Sequence, residues 1–283
     1  MAWNTDWIKD DGKILIGKKI AAVFDWMTEA FGGFFDLLET VLSTSIDGVL
    51  AALQFPPSYL MVALFAALTW LLQRSPTRVI IVSLCFLYTI NQGYWEEVTE
   101  SLALILFAGV FCMGVGIPVG IYAAHRPKVF QAILPVLDMM QTIPTFVYLI
   151  PMIVLFGIGM VPGLVATFIF VLAAPIRLTQ LGVSSTPVAL IEAAEAFGAT
   201  KRQLLWKVEL PSALPQIMAG LNQTIMLSLS MVVIAALVGA DGLGVPVVRA
   251  LNSVNAGLGF ESGLVIVAVA IALDRMLRVE AST

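Results

Sequence analysis

The chain has 283 residues, of which 59% are hydrophobic and 12% charged, and its mean hydropathy is +0.96. Soluble domains carry roughly a quarter of their residues as Asp, Glu, Lys and Arg, so this composition excludes an ordinary soluble globule and puts the membrane class first. A net charge of −4 without a basic, aromatic-interleaved stripe excludes nucleic acid as a partner, and one histidine with two cysteines, Cys85 and Cys112, excludes a histidine-rich metal centre and a disulfide framework.

The opening "MAWNTDWIKDDGKILIGKKI" mixes acids with lysines and lacks an apolar core followed by small residues, so no cleavable leader is expected. Within residues 1–48, Phe24, Met27, Phe31, Phe34, Phe35, Leu38, Val41 and Leu42 recur at helical spacing, with Asp25, Glu29, Asp36 and Glu39 between them. This predicts an amphipathic helix at the bilayer surface or against the bundle. Its acidic face gains little from anionic lipid, so packing on the protein is the expected support.

Seven apolar segments follow: residues 59–72, which can begin as early as 49, then 79–90, 98–124, 129–156, 161–181, 214–238 and 264–277. A spanning helix needs about 20 residues. The first two fall short of that, so the count is seven, with six as the alternative. The expected fold is an all-α polytopic membrane bundle, divided into a tail (1–48), two first spans (49–92) and a core (93–283).

Lysine and arginine give the orientation. Arg74 and Arg78 lie between spans one and two, Arg126 and Lys128 between three and four, and Lys201, Arg202 and Lys207 between five and six; Arg275 and Arg278 close the chain. The alternate connections "NQGYWEEVTE" and "FGIGMVPG" hold no basic residue, and the one after span six holds only Arg249. The basic connections are therefore cytoplasmic and the amino terminus external. Lys9, Lys13, Lys18 and Lys19 run against this assignment. Proline and glycine are dense within the spans ("GVGIPVG", "AAPIR"), as routine bundle packing allows and as a machine that opens and closes requires.

The interval "IEAAEAFGATKRQLLWKVELP", residues 191–211, is the longest charged stretch in the second half. Ser184, Ser185, Thr186 and Pro187 supply a start signal, and Gly198 ends a first short helix. Ala194 and Gly198, four apart, would stack on one helical face. A second short helix is expected over residues 201–208, with Pro211 near the start of span six, where its missing N–H is harmless. Two short helices and a glycine turn make a compact knob, which can transmit force where a tether cannot.

This stretch resembles the signature loop of ABC importer permeases: Glu-Ala-Ala, three residues, Gly, nine residues, an aliphatic residue, any residue, Leu-Pro. The resemblance implies that Glu192, Ala193, Ala194, Gly198, Leu210 and Pro211, within a loop of residues 184–211, couple the chain to a cytoplasmic ABC ATPase. "LPVLDMMQTIPTFVYLIPMIVLFGIG" and the stretch from residue 192 to "VGADGLG" are similar to the glycine betaine, choline and proline betaine branch, and the likeness covers about residues 93–272. It implies a homodimer of this permease, an external or periplasmic substrate-binding protein, and no cofactor on this chain. No G-x-x-x-x-G-K-[ST] phosphate loop occurs, so ATP is expected on the partner ATPase.

Asp138, a carboxylate at membrane depth, marks a pathway or an internal partner. Gln141 and Thr142 stand beside it, and Phe146 and Tyr148 could hold a quaternary ammonium ion by cation–π attraction. Arg126 and Lys128 lie a few turns back, so pairing near the cytoplasmic boundary is the weightier reading. In the external connection, Asp241 and Glu261 are candidate contacts for the binding protein, against a loosely packed or re-entrant loop. An ion-gradient-driven secondary transporter is the competing function, although no internal duplication of the usual kind is seen.

Overall fold

The computed structural model describes residues 16–277, all of whose regular elements are helical. Lys9, Lys13 and Arg278 lie outside the described residues. The first helix, α1 (Ile16–Gln54), is longer than the expected amphipathic segment and runs through residue 48 into the stretch read as the approach to span one. Its backbone departs from helical angles at Phe31. Trp26, Phe34 and Leu37 stay exposed, while Leu42 and Ile46 are buried against Ala103, Ala108 and Leu164. Phe35 meets Phe156 edge to face at 5.5 Å. The bundle supports this helix along both halves, since Phe24 and Asp25 lie beside Val147 and Pro151.

At Pro56 and Pro57 the chain turns by 97° into α2 (Ser58–Gln73). Pro76 then opens α3 (Pro76–Asn91) at a first-turn position where its absent N–H is no loss. Each has 16 residues, about 24 Å of helix against a hydrocarbon core of roughly 30 Å. The two pack on each other and on the last helix, with Phe65 stacked on Phe86 at 4.8 Å.

The centre is α4 (Trp95–Ala124), followed by α5 (Pro127–Thr142), α6 (Thr145–Phe156), α7 (Met160–Val171) and α8 (Ala173–Ser184). The expected single span over residues 129–156 is instead broken: α5 and α6 meet at 94°. The cause is Pro144, which holds Ile143 extended (φ −64°, ψ 130°), as the residue before a proline must be. By contrast, α7 and α8 form one run of 25 residues. Beyond them lie α9 (Val188–Ala196), α10 (Lys201–Leu204), α11 (Leu210–Ala235), α12 (Gly244–Asn252) and α13 (Ala256–Leu277).

Among the described residues, four helical runs can cross a membrane by length and apolarity, and up to six if each bent pair counts once. Packing around α8 is closest, against α4 and α11. A Cβ on Gly116 would come 2.8 Å from Pro175 Cβ, and one on Gly120 would come 2.6 Å from Thr179 Cβ. Small residues here let the backbones approach, which supplies the dispersion contacts that hold helices together in lipid.

The helix ends sort by charge. Gln73 Nε2 donates to the Met276 carbonyl (2.7 Å) and its Oε1 accepts from Arg78, joining the α2–α3 connection to the end of α13. On the alternate connections, the Tyr94 hydroxyl donates to Glu261 (2.9 Å), Leu243 N–H to Ser101 Oγ (2.8 Å) and Gly159 N–H to the Val238 carbonyl (2.9 Å). Basic connections associate with basic ones, and the rest with one another, as alternating spans demand.

Candidate functional site: the polar knob between spans

α9 presents no buried residue. Glu192 and Ala193 are exposed, Ala194 is half-buried, and Val188, Leu190 and Trp206 add apolar surface around them. At the helix end Phe197 is 93% exposed, which is unusual for so large an apolar side chain. The turn that displays it is a Schellman motif: Ala199 N–H donates to the Ala194 carbonyl (3.0 Å) and Gly198 N–H to Glu195 (2.8 Å). Gly198 adopts φ +77°, and a Cβ added there would meet nothing within 4 Å. It therefore lies past the last helical residue and does not extend the Ala194 face. Its requirement is the left-handed backbone.

Thr200 caps the following turn. Its side chain accepts from Gln203 N–H (3.3 Å), and Gln203 Oε1 accepts from Thr200 N–H (2.8 Å), completing a capping box. The expected second short helix over 201–208 is not a separate element. α10 passes through a π turn, Leu205–Glu209, straight into α11, giving one run from Lys201 to Val238. Leu210 N–H reaches back to the Leu205 carbonyl, five residues away. Pro211 lacks an N–H and its ring would crowd the carbonyl four residues earlier, so the extra residue of the π turn makes room for it.

Glu209 in that turn is buried, its side chain 8% exposed, and its Oε2 lies 2.9 Å from His125 Nε2 at the end of α4. His125 Nδ1 faces the Ile121 carbonyl at 2.9 Å. Beside this contact a groove of about 790 Å³ is lined by Pro118, Tyr122, Arg126, Trp206 and Leu214 among others. Arg126 donates to the Tyr122 hydroxyl (2.8 Å) and sits over its ring.

The four route candidates fall on both sides of the α5–α6 break. Asp138 pairs with Arg177 of α8 (2.7 Å), and not with Arg126 or Lys128. Both side chains keep surface, at 57% for Asp138 and 32% for Arg177, and Arg177 Nε is buried with no partner. Gln141 is half-buried and Phe146 exposed. The Tyr148 hydroxyl donates to the carbonyl of Met140 (3.0 Å), a group that the break deprives of its helical partner, so it clamps α6 to the end of α5. At the opposite end, Asp241 and Glu261 are both exposed, Gly242 N–H hydrogen-bonds Glu100, and Glu261 accepts from Tyr94. Burial first, then the Glu261 hydrogen bond, pushes the Tyr94 phenol up to about 12, so it is a donor at physiological pH.

Sequence reasoning missed Arg177, Glu209 and His125 as partners. Arg177 carried a usable signal, a lone cation inside an apolar span; the other two did not. Among the described residues, no group of three or more His, Cys, Asp or Glu could hold a metal ion.

Residues 116–278 match the family model described as binding-protein-dependent transport system inner membrane component. The chain is 47% identical over 252 residues to the glycine betaine transport system permease protein OpuAB of Bacillus subtilis, covering 89% of each. It is 44% identical to the glycine betaine/proline betaine transport system permease protein ProW of Escherichia coli, over 89% of this chain and 71% of that one. The fold is similar to a chain of the MetNI methionine ABC transporter solved in inward-facing conformations, with TM-score 0.55 and 28% identity, covering 63% of this chain and 92% of that one.

Proposed function

Because the chain belongs to the binding-protein-dependent transport system inner membrane components, in the branch that takes up quaternary amines, we propose that it lines half of the pore of an ATP-driven importer of glycine betaine or a close analogue. It is a multi-span permease subunit; ATP hydrolysis belongs to a separate ABC ATPase, and an external binding protein completes the system. The two most similar relatives named above favour glycine betaine or proline betaine over choline as cargo.

The observation that carries this reading is the knob. α9 and the Gly198 turn project from the bundle with Phe197, Glu192 and Ala193 uncovered, a surface with the exposed apolar anchor that a protein partner buries. Glu192, Ala193 and Ala194, with Phe197 displayed by the Gly198 turn, form the surface that docks on the ATPase. Leu210 and Pro211 join it to α11, so that closure of two ATPases on nucleotide displaces α11 and turns the pore outward. A homodimer supplies the second half of the route. Asp138, Gln141, Phe146 and Tyr148 lie along that route, Phe146 offering an aromatic face to a cation that has no N–H to donate. Asp241 and Glu261, exposed at the other end, receive the binding protein.

The test is reconstitution of this chain in liposomes with its ATPase and binding protein, and uptake of radiolabelled glycine betaine, proline betaine and choline. ATP inside the liposomes should be required, with the betaines preferred. Uptake by the chain alone on a sodium or proton gradient would overturn the reading.

A further inference from the structure

The signature pattern leaves the residue between Val208 and Leu210 unspecified, and here it is a buried carboxylate. Among the described residues, the partner the structure gives Glu209 is His125, 84 positions earlier and the chain's single histidine. The contact counts protons. Nδ1 faces a carbonyl and Nε2 a carboxylate, both acceptors, each at 2.9 Å. A neutral imidazole has one N–H. With that proton given to Ile121, the Nε2 lone pair would point at the Glu209 oxygen. The contact therefore requires an N–H on Nε2, donated to the Glu209 carboxylate. The adjacent cation Arg126 is committed to Tyr122.

The position of this pair matters because of the turn it grips. The π turn has one residue more than an α-helix needs, a hydrogen bond five residues long at Leu210, and a proline next to it. A helix is softest where its register can change between π and α. Push on the knob, and such a turn would absorb the displacement. A second attachment bypasses it: Glu209 is tied to α4, and α4 is fitted to α8 at Gly116 and Gly120 with no room for a Cβ. We propose that His125 is a positioning residue that, through Glu209, makes the cytoplasmic knob and α4 move as one body. The proposal rests on the importer reading and adds to it the joint by which force enters the bundle.

Two measurements test it. The first follows ATP hydrolysed per betaine imported in the reconstituted complex. His125→Gln and Glu209→Gln should each raise that ratio about fivefold or more, the lower end of ordinary coupling energies. The exchanged pair, His125→Glu with Glu209→His, should bring it back to within about twofold. A ratio that stays constant, whether activities hold or fall together, would overturn the joint while leaving ATP-driven uptake by the unaltered chain, and so the importer reading, standing. The second uses the single histidine: 15N NMR of the histidine-labelled chain in nanodiscs, carrying a tag without histidine, at neutral pH. An N–H on Nε2 is expected, with its resonance altered in Glu209→Gln. A ring protonated at Nδ1 alone in the unaltered chain, or no change on Glu209→Gln, would overturn the pair whatever the transport data.

Discussion

Gly198 separates two explanations of the knob's glycine, and a pair of substitutions decides between them. A docking face that needs smallness would reject any side chain; a turn that needs φ +77° would reject only residues that resist the left-handed region. There is open space around the Cβ position, so Gly198→Ala meets no clash and its cost is the backbone alone, about 1–2 kcal/mol. Asn visits that region readily, so Gly198→Asn should cost a few tenths of that. The free variant relaxes away from the displayed turn and must return to it on docking. At 1.4 kcal/mol per tenfold, Gly198→Ala should weaken binding of the ATPase to the nanodisc-embedded chain by about 5- to 30-fold, and Gly198→Asn by no more than about twofold. Equal loss for both would place the requirement in the space at the interface. No loss for Ala would remove the Schellman turn from the account altogether.

Three further outcomes follow from other contacts. Gly120→Ala puts a Cβ 2.6 Å from Thr179 and 2.8 Å from the Ile176 carbonyl, and should cost about 1–3 kcal/mol in thermal unfolding; Gly114→Ala, with nothing within 4 Å, should be neutral or stabilising. Asp138→Asn should cost more than Asp138→Asn combined with Arg177→Met, because the single change strands a guanidinium whose Nε already lacks a partner; a double-mutant cycle reading zero coupling would refute the pair. Tyr94→Phe should lose about 1.5–3 kcal/mol, the worth of a hydrogen bond to a carboxylate. Since the folded phenol is raised from 10.0 to about 12, its contribution is whole below pH 10 and is lost as pH climbs towards 12, a decline that Tyr94→Phe should not share.

What could be seen in the sequence was mostly local. The knob's turn was legible because Gly198 acts within a few residues of its own position. The grouping of the connections at two ends was legible because lysine and arginine report it one at a time. The α5–α6 break was not, since hydropathy averaged over residues 129–156 says nothing about direction; "TIPT" held the clue, in the extended backbone a residue must take before proline. The continuity of α10 into α11 was hidden for the opposite reason. Pro211 looks like a start, and only the hydrogen-bond register shows that a π turn carries the helix past it. Asp138 was flagged correctly as needing an explanation, yet its partner lies 39 residues away on α8. Which faces of two helices meet is a property of packing, and the 84-residue gap between His125 and Glu209 belongs to the same class.

The corner between α5 and α6 has a mechanical implication. A straight rod crossing the bilayer can slide or twist along its own axis with little effect on its neighbours. Two short arms set at 94° and bolted by the Tyr148 phenol form a bell crank: rotation of one arm must sweep the other sideways. Movement delivered at one level of the membrane is thereby converted into a lateral stroke at another, without lengthening or unwinding either helix.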